Sequence, residues 1–124
     1  MGTATVSDQL RRALRDALKS RDMVAVSALR SALGAIDNAT AVPAWPAAAA
    51  SASSPHIAGA AAGLGATEAE RRRLSDDDVS SIVRAEVAER QAAARDYERA
   101  GHADRAGRLR HEADVLAAAL AGEP

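Results

Sequence analysis

Apolar residues recur along this chain at intervals of three and four positions, the spacing that places side chains on one face of an α-helix. The pattern occurs in four stretches and predicts helices over residues 8–20, 23–38, 76–100 and 103–121. No stretch shows a convincing alternation of apolar and polar residues, the pattern typical of a β-strand. The predicted fold class is therefore all-α, with four main helices arranged as two helical hairpins.

Polar residues mark the ends of the helices in the first hairpin. Ser7 precedes the apolar stripe of the first helix and Asp22 precedes that of the second, so we expect their side-chain oxygens to cap free backbone N–H groups. Gly34 interrupts the second helix. Glycine in a helix interior costs about 1 kcal/mol relative to alanine, and a close approach of another backbone would offset that cost.

The second hairpin carries clearer boundary signals. Ser75 and Asp78 are three positions apart, close to the capping box in which side chain and backbone of both residues bond reciprocally. Gly101 lies between the third and fourth apolar stripes, and glycine readily adopts the left-handed conformation that ends many helices. The sequence therefore predicts two antiparallel helices joined by a tight glycine turn.

Between the two hairpins the helical periodicity disappears. Residues 39–65 contain Pro43, Pro46 and Pro55 among Ala, Ser and Gly, with almost no charge. This composition predicts a long, flexible Ala/Ser/Gly/Pro-rich linker. Since structureless loops of such length are uncommon inside compact domains, we expect most of it to be disordered within a single helical domain spanning residues 1–124.

Composition limits the size of the core. Apolar residues make up 48% of the 124 residues, but more than half of them are alanine, and Trp45 and Tyr97 are the only aromatic residues. Burial stabilises a fold by about 25 cal/mol per Å² of apolar surface, so an alanine-rich core contributes little. We expect either a marginally stable monomer or a homo-oligomer.

Charge and special residues narrow the class of protein. The formal net charge is −1, which argues against a general nucleic-acid binder but permits one local basic face. The chain has no cysteine, so disulfides and thiolate metal sites are excluded. No apolar run reaches the roughly 20 residues of a transmembrane helix, and the first residues lack the features of a signal peptide. We expect a cytoplasmic protein with no membrane contact.

Three charged residues form a candidate polar site between helices. Arg30 lies beside the apolar stripe of the second helix, and Glu86 and Arg90 lie on the apolar side of the third. An arginine facing a carboxylate there is either an anionic-ligand site or an ion pair that fixes the register of the hairpins. Glu86 and Arg90 are also four positions apart, so they are able to pair on one helix.

Two groups of cations are candidates for contacting phosphates. They are Arg11, Arg12, Arg15 and Lys19 on the first helix and Arg71, Arg72 and Arg73 before the third. The alternative is that both are solvated faces balanced by acids elsewhere, which the net charge of −1 favours. Because no aromatic residues interleave with the arginines, base stacking on aromatic rings is not expected.

Other reactive residue types show no catalytic or metal-binding spacing. His102 and His111 are nine positions apart, which is not a ligand spacing on one helix. No strained turn frames a serine as a nucleophile, and Gly63 and Gly65 are too isolated to form a phosphate-binding loop. We therefore predict no catalytic residue, no metal and no cofactor.

An ordered set of segments resembles the small proteins of the GatB/YqeY domain family. The segments are residues 10–14, 19–22, 28–39, 74–79, 85–90, 97–106 and 112–116. The alanine-rich stretch before the third helix and the fifteen arginines against one lysine are similar to actinobacterial members. Longer members continue into a C-terminal tail domain associated with tRNA, whereas this chain ends in residues 119–124 without the expected junction, so we expect that domain to be missing.

The resemblance implies an all-helical protein related to the GatB component of the glutamine-dependent Asp/Glu-tRNA amidotransferase. Three functions follow as hypotheses. The first is a non-catalytic accessory or binding module with tRNA or an amidotransferase-related protein as partner. The second is a homo-oligomeric protein–protein interaction module without a tRNA role. The third, implied by the family label alone, is a carbon–nitrogen ligase with glutamine as amide donor, although we find neither the activated nucleophile nor the metal site that such chemistry requires.

Overall fold

Four helices make up almost all of the described chain, which in this computed structural model comprises residues 4–41 and 73–122. They are α1 (Val6–Ser20), α2 (Met23–Ala41), α3 (Asp76–Arg99) and α4 (Ala103–Ala121). These residues contain no β-strand. The prediction of an all-α fold with four main helices is therefore confirmed, and the boundaries lie within three residues of those expected.

Two capping boxes start α1 and α3. Ser75 Oγ accepts the Asp78 N–H at 3.0 Å, and Asp78 Oδ2 accepts the Ser75 N–H at 3.0 Å, as predicted. The same arrangement at α1 joins Thr5 and Asp8. The predicted cap at Ser7 was wrong. Thr5 and Asp8 form a second reciprocal pair with the same three-residue spacing, and this pair starts the helix at Val6.

Asp22 caps α2 as predicted. Its Oδ1 accepts the Ala25 N–H at 3.0 Å, and its backbone carbonyl accepts the Val26 N–H at 3.0 Å. Only one residue, Arg21, lies between the end of α1 at Ser20 and this cap. The two helices of the first hairpin are therefore joined by a very tight turn.

Left-handed residues end three of the helices. Arg21 (φ 60°), Gly101 (φ 86°) and Gly122 (φ 78°) follow α1, α3 and α4. After α1, the Arg21 N–H donates to Leu18 O and the next N–H to Ala17 O; after α3, the Gly101 N–H donates to Glu98 O and the next to Tyr97 O. This pair of bonds is the Schellman motif. The predicted glycine turn at Gly101 is confirmed.

The core is built from small side chains. Eight of the sixteen buried apolar residues recorded among the described residues are alanines. The largest fully buried side chains are Leu10, Leu29, Leu116, Val26 and Val83, so each of the four helices contributes at least one. The expectation of a thin core is confirmed for this part of the chain.

Hydrogen bonds between helices define the order in which they run. The Val6 N–H donates to Asp76 Oδ1 at 2.9 Å, which places the starts of α1 and α3 together. His111 Nε2 lies 2.8 Å from Asp22 Oδ2, so α4 runs antiparallel to α1. With 24 residues against 15 and about 1.5 Å of rise per residue, α3 extends about 13 Å further than α1. The end of the second hairpin that carries the Gly101 turn therefore protrudes beyond α1.

The second helix ends later than its sequence predicts. Ala39, Thr40 and Ala41, expected to begin the linker, are helical, and Thr40 Oγ1 donates to Ile36 O at 2.9 Å. Residues 42–65 of the predicted linker lie outside the described residues. No described atom lies within 4 Å of a Cβ built on Gly34, so the close backbone approach expected there is not found.

The described helices contribute to two compact units. One consists of Met1–Ala35 with Ser75–Pro124, and the second begins at Ile36 within the last turns of α2 and ends at Leu74. Most of the second unit lies outside the described residues. The single domain expected over residues 1–124 therefore stays a prediction.

Candidate functional site

The outward face of α1 is strongly cationic. Arg11, Arg12, Arg15 and Lys19 are all exposed, on the side of the helix opposite the buried residues Leu10 and Ala17. Within the described residues, none of the four makes an ion pair or a side-chain hydrogen bond. We call these four residues the α1 basic face. Their charges are therefore free to interact with an external anion.

The second predicted group of cations is only partly described. Arg71 and Arg72 lie outside the described residues, whereas Arg73 is exposed just before the Ser75 cap of α3. Because Asp76 bonds to the Val6 N–H, Arg73 lies three residues from the junction between α3 and the start of α1. The structure thus places Arg73 at the same end of the molecule as the first turn of α1.

A charged cluster joins α3 and α4. Arg90 Nη1 donates to Glu86 Oε1 at 2.8 Å and to the Glu86 carbonyl at 3.1 Å, while Arg90 Nε donates to Glu112 Oε1 at 2.8 Å. The side chains of Arg90, Glu86 and Glu112 are only 13%, 18% and 15% exposed. The predicted pairing of Glu86 with Arg90 is found, and Glu112 completes the cluster.

Arg30, the third residue of the predicted polar site, is not part of this cluster. It is exposed and makes no ion pair with any described residue. Its neighbour Ser31 reaches the cluster instead, because Ser31 Oγ donates to Glu86 Oε1 at 3.4 Å. Both residues are exposed, and one position corresponds to about 100° of rotation around a helix, so the contact with Glu86 falls on Ser31 and not on Arg30.

Glu112 was missed by the sequence analysis, although a signal for it exists. Arg90 and Glu112 are each eleven positions from Gly101. In an antiparallel hairpin, residues equidistant from the turn lie at about the same height. A search for opposite charges at equal distances from Gly101 would have found the pair.

The electrostatic balance of the cluster favours a structural cross-link. Burial alone would lower the pKa of Arg90, but its hydrogen bonds to Glu86 and Glu112 and the attraction of both carboxylates outweigh it, so the pKa is raised. The guanidinium stays charged, and its Nε and Nη1 atoms donate to protein acceptors. The cluster as described thus holds α3 to α4, and Nη2 is the guanidinium nitrogen of Arg90 that makes no hydrogen bond with a described residue.

A second polar link joins the first hairpin to α4. Asp22 Oδ2 lies 2.8 Å from His111 Nε2, while Oδ1 caps α2. The pKa of Asp22 is lowered, first by the hydrogen bond from the Ala25 N–H and then by His111. The sequence analysis considered His111 only as a metal ligand. Its described role is to pair with a capping carboxylate.

The protruding tip of the second hairpin carries a cluster of polar and aromatic groups. The Tyr97 ring contacts the His102 ring edge to face, with centroids 6.0 Å apart. The Arg105 guanidinium lies 5.5 Å from the Tyr97 centroid, within the range of a cation–π contact. Arg110 and Glu98 pair at 2.6 Å across the two helices. The Tyr97 side chain therefore packs against residues on the other side of the Gly101 turn.

A cavity of about 540 Å³ lies between α1 and α4. Gln9 and Gly122 line one end, and Asp22 and Val115 line the other, with Arg12 among the polar lining residues. Gln9 Oε1 is buried without a hydrogen-bond partner among the described residues. An unsatisfied buried acceptor costs about 1–3 kcal/mol, which marks Gln9 as an energetically unfavourable position in this wall.

Neither metal ligation nor membrane spanning is seen in the described part of the chain. Residues 4–41 and 73–122 contain no group of three or more His, Asp or Glu residues placed to hold a metal ion. None of their helices combines the length and the apolar character needed to cross a membrane.

Comparison with known proteins returns no relative. No protein-family model, no curated protein and no solved structure matches this chain.

Proposed function

We propose that this protein is a non-catalytic helical module that binds RNA of the tRNA class and assists a tRNA-dependent amidotransferase or a related process. The resemblance of its sequence segments to GatB/YqeY domain proteins suggests the partner. The observation that carries the proposal is the α1 basic face, whose four exposed cations make no ion pair with a described residue. The Glu86–Arg90–Glu112 cluster supports the binding module by holding α3 and α4 together.

Phosphate contacts account for the chemistry of this face. Cations that are not neutralised by neighbouring acids release the counterions of a nucleic acid when they bind. Such contacts position a protein on RNA without reading its sequence. With four cations on one helix and a net charge of −1 over the whole chain, we expect weak, salt-sensitive binding, with a Kd of about 10⁻⁴–10⁻⁶ M at physiological salt.

A salt titration with a charge-matched control tests this proposal. Binding of fluorescently labelled bulk tRNA is measured by anisotropy at several salt concentrations for the parent and for Arg11→Ala/Arg15→Ala. Each lost phosphate contact lowers the slope of log K against log salt by about 0.7–0.9, so we expect the slope to fall by about 1.5 with the double variant. Arg84→Ala/Arg95→Ala removes the same charge from exposed positions of α3 and should leave most of the affinity and slope intact.

Two results would contradict the proposal. One is the absence of saturable binding at the lowest salt concentration, where phosphate contacts are strongest. The other is an equal effect of both double variants, because equal loss would reflect net charge and not the α1 basic face. Circular dichroism of each variant establishes that the helices are retained.

Self-association is a second candidate function, favoured by an apolar groove. A groove of about 440 Å³ on α3 and α4 is lined mainly by Val87, Ala88, Ala117, Leu120 and Ala121. Covering it with a second copy would add apolar burial to the thin core. Light scattering should then report a mass of at least twice 12.7 kDa that returns to one chain in Leu120→Glu. A single-chain mass at every concentration would exclude this candidate.

A further inference from the structure

The turn between α1 and α2 exposes both cations and large apolar side chains. Leu18 and Met23 are 44% and 60% exposed, and they are the exposed large hydrophobic residues recorded in the described chain. Lys19 and Arg21 lie between them, are exposed and make no ion pair with a described residue. We call these four residues the α1–α2 corner. All four fall within six consecutive positions around one tight turn.

Arg21 occupies a backbone conformation that favours glycine. Its φ is 60°, in the left-handed region where a Cβ is disfavoured. The chain uses glycine at the equivalent positions after α3 and α4, namely Gly101 and Gly122. No side-chain hydrogen bond or ion pair of Arg21 to a described residue explains why arginine stands here. The backbone of Arg21 closes the turn, but its side chain has no such role, and a side chain kept in a disfavoured backbone conformation motivates a hypothesis of function.

We propose that the α1–α2 corner holds an unpaired nucleotide of the bound RNA. Lys19 and Arg21 contact its phosphates, and Leu18 and Met23 lie against the face of its base. This inference rests on the proposed RNA-binding function and extends the α1 basic face around the end of the helix. In this proposal the α1–α2 corner gives the protein a preference for single-stranded over paired RNA. Phosphate contacts alone do not supply that preference.

The pairing of apolar and cationic groups favours this occupant over others. Bases in a duplex are stacked inside and offer no face to a side chain, whereas unpaired bases are splayed out and stack on aromatic rings or arginine guanidinium planes or against apolar side chains. Two apolar side chains provide too little area to hold a protein on a membrane, which requires an extended apolar helix face.

The acids near the corner leave it open to a polyanion. Asp22 Oδ1 accepts the Ala25 N–H and Oδ2 lies 2.8 Å from His111 Nε2, so both carboxylate oxygens face groups of the protein. Asp16 lies three positions before Lys19 and lines the cavity between α1 and α4. Residues 18–23 therefore carry a formal charge of +1, from two cations and one carboxylate, in a chain whose net charge is −1.

A pair of RNA hairpins with the same stem tests the inference. One carries a single-stranded 3′ overhang and the other ends blunt, and both are titrated by anisotropy against the full chain. Stacking of one base on an aromatic side chain changes affinity by about fivefold or more, and contact with the smaller aliphatic faces of Leu18 and Met23 should change it less, so we expect the parent to prefer the overhang RNA about two- to threefold. Arg21→Gly and Met23→Ala should each reduce that preference, while Arg21→Gly should melt at the same temperature as the parent or above it. Arg11→Ala, on the α1 basic face, should weaken binding of both RNAs and keep their ratio.

Each other outcome overturns a defined part of the argument. Equal binding of the two RNAs by the parent overturns the inference and leaves the proposed function standing, as does a preference that survives Arg21→Gly and Met23→Ala. Absence of binding to either RNA overturns both. Sedimentation with phosphatidylglycerol vesicles provides the remaining arm, since vesicle binding that is lost in Arg21→Gly while RNA binding is unchanged would assign the corner to an anionic lipid surface.

Discussion

The two hairpins of this protein close with the same backbone motif and different residues. After α1 the left-handed position is Arg21, and after α3 it is Gly101, yet both turns make the same pair of N–H to carbonyl bonds. A turn that has only to reverse the chain is best served by glycine. The comparison therefore separates a turn whose residue suits its backbone conformation from a turn that places an exposed cationic side chain at the same position.

The hairpins also differ in what connects their helices. The second is linked by ion pairs, from Arg90 to Glu112 and from Arg110 to Glu98, and its buried seam includes Ala94, Ala106 and Ala113. In the first hairpin no ion pair joins the described residues of α1 and α2. Each hairpin buries four alanines among its described residues, but the first buries five larger apolar side chains and the second only three. The protruding second hairpin therefore depends more on charge.

Among the substitutions that test this comparison, Arg90→Ala should have the largest effect on stability. The change removes the cation between Glu86 and Glu112, whose side chains are 18% and 15% exposed, and leaves two carboxylates poorly solvated. Breaking a buried pair costs about 3–5 kcal/mol, and with this residual exposure we expect a loss of about 2–3 kcal/mol. Urea unfolding followed by circular dichroism measures it.

A surface ion pair provides the control for Arg90→Ala. Arg99→Ala removes the partner of Asp96 on the same helix, where both side chains are more than 70% exposed, and should change stability by less than about 0.5 kcal/mol. Adding Glu86→Gln to Arg90→Ala should recover part of the loss. Equal effects of Arg90→Ala and Arg99→Ala would show that charge does not hold the second hairpin together.

The next largest effect concerns the two turns themselves. No described atom lies within 4 Å of a Cβ at Gly101, so Gly101→Ala should lower the free energy of unfolding only by the cost of the left-handed backbone conformation, about 1–2 kcal/mol. Arg21→Gly should raise the free energy of unfolding by a comparable amount. Thermal unfolding measures both, and a loss of stability in Arg21→Gly would mean that the arginine side chain serves the fold after all.

Gly122, at the end of α4, is compared with Gly101 by the same substitution. A Cβ there would lie 3.1 Å from Gln9 Nε2, closer than side chains usually pack. Gly122→Ala should therefore cost more than Gly101→Ala, unless the flexible Gln9 amide moves aside. A Gln9→Ala background tests this, because removing the amide should make the two glycine substitutions equal.

The smallest effect should come from the charge of Asp22 at the start of α2. Its folded pKa lies below the ordinary 3.8 because the Ala25 N–H and His111 stabilise the carboxylate. A lowered pKa contributes stability that is present above pH 3.8 and is lost as pH falls through the folded value. Asp22→Asn retains a capping oxygen but not the charge. The difference in free energy of unfolding between the parent and this variant should therefore shrink below pH 3.8.

The measurement for Asp22 is urea unfolding of both proteins at pH 6, 4 and 3. His111→Ala is the control, since it removes one cause of the lowered pKa and keeps the Ala25 N–H bond. The difference in free energy of unfolding between the parent and His111→Ala should shrink over the same pH interval. A difference between the parent and Asp22→Asn that stays constant to pH 3 would show that the charge does not contribute.

Local signals predicted much of the fold. The caps at Asp22 and Ser75 and the turn at Gly101 are formed by neighbours in the chain, and all three are found. The first cap was predicted at Ser7 and is found at Thr5, because Thr5 stands three positions before an acid, Asp8, that completes the reciprocal pair. The polar site was harder, because Glu86 and Arg90 lie on one helix whereas their third partner does not.

The sequence by itself determined the helices of this protein and their ends, because apolar periodicity, capping and left-handed turns act over a few consecutive residues. Tertiary structure alone decided which side chains meet between helices. Glu112, and not Arg30, joins Arg90, and His111 joins Asp22, because those contacts depend on the height and rotation of one helix against another. The same packing leaves the α1 basic face and the α1–α2 corner exposed, and that exposure makes them available to a partner.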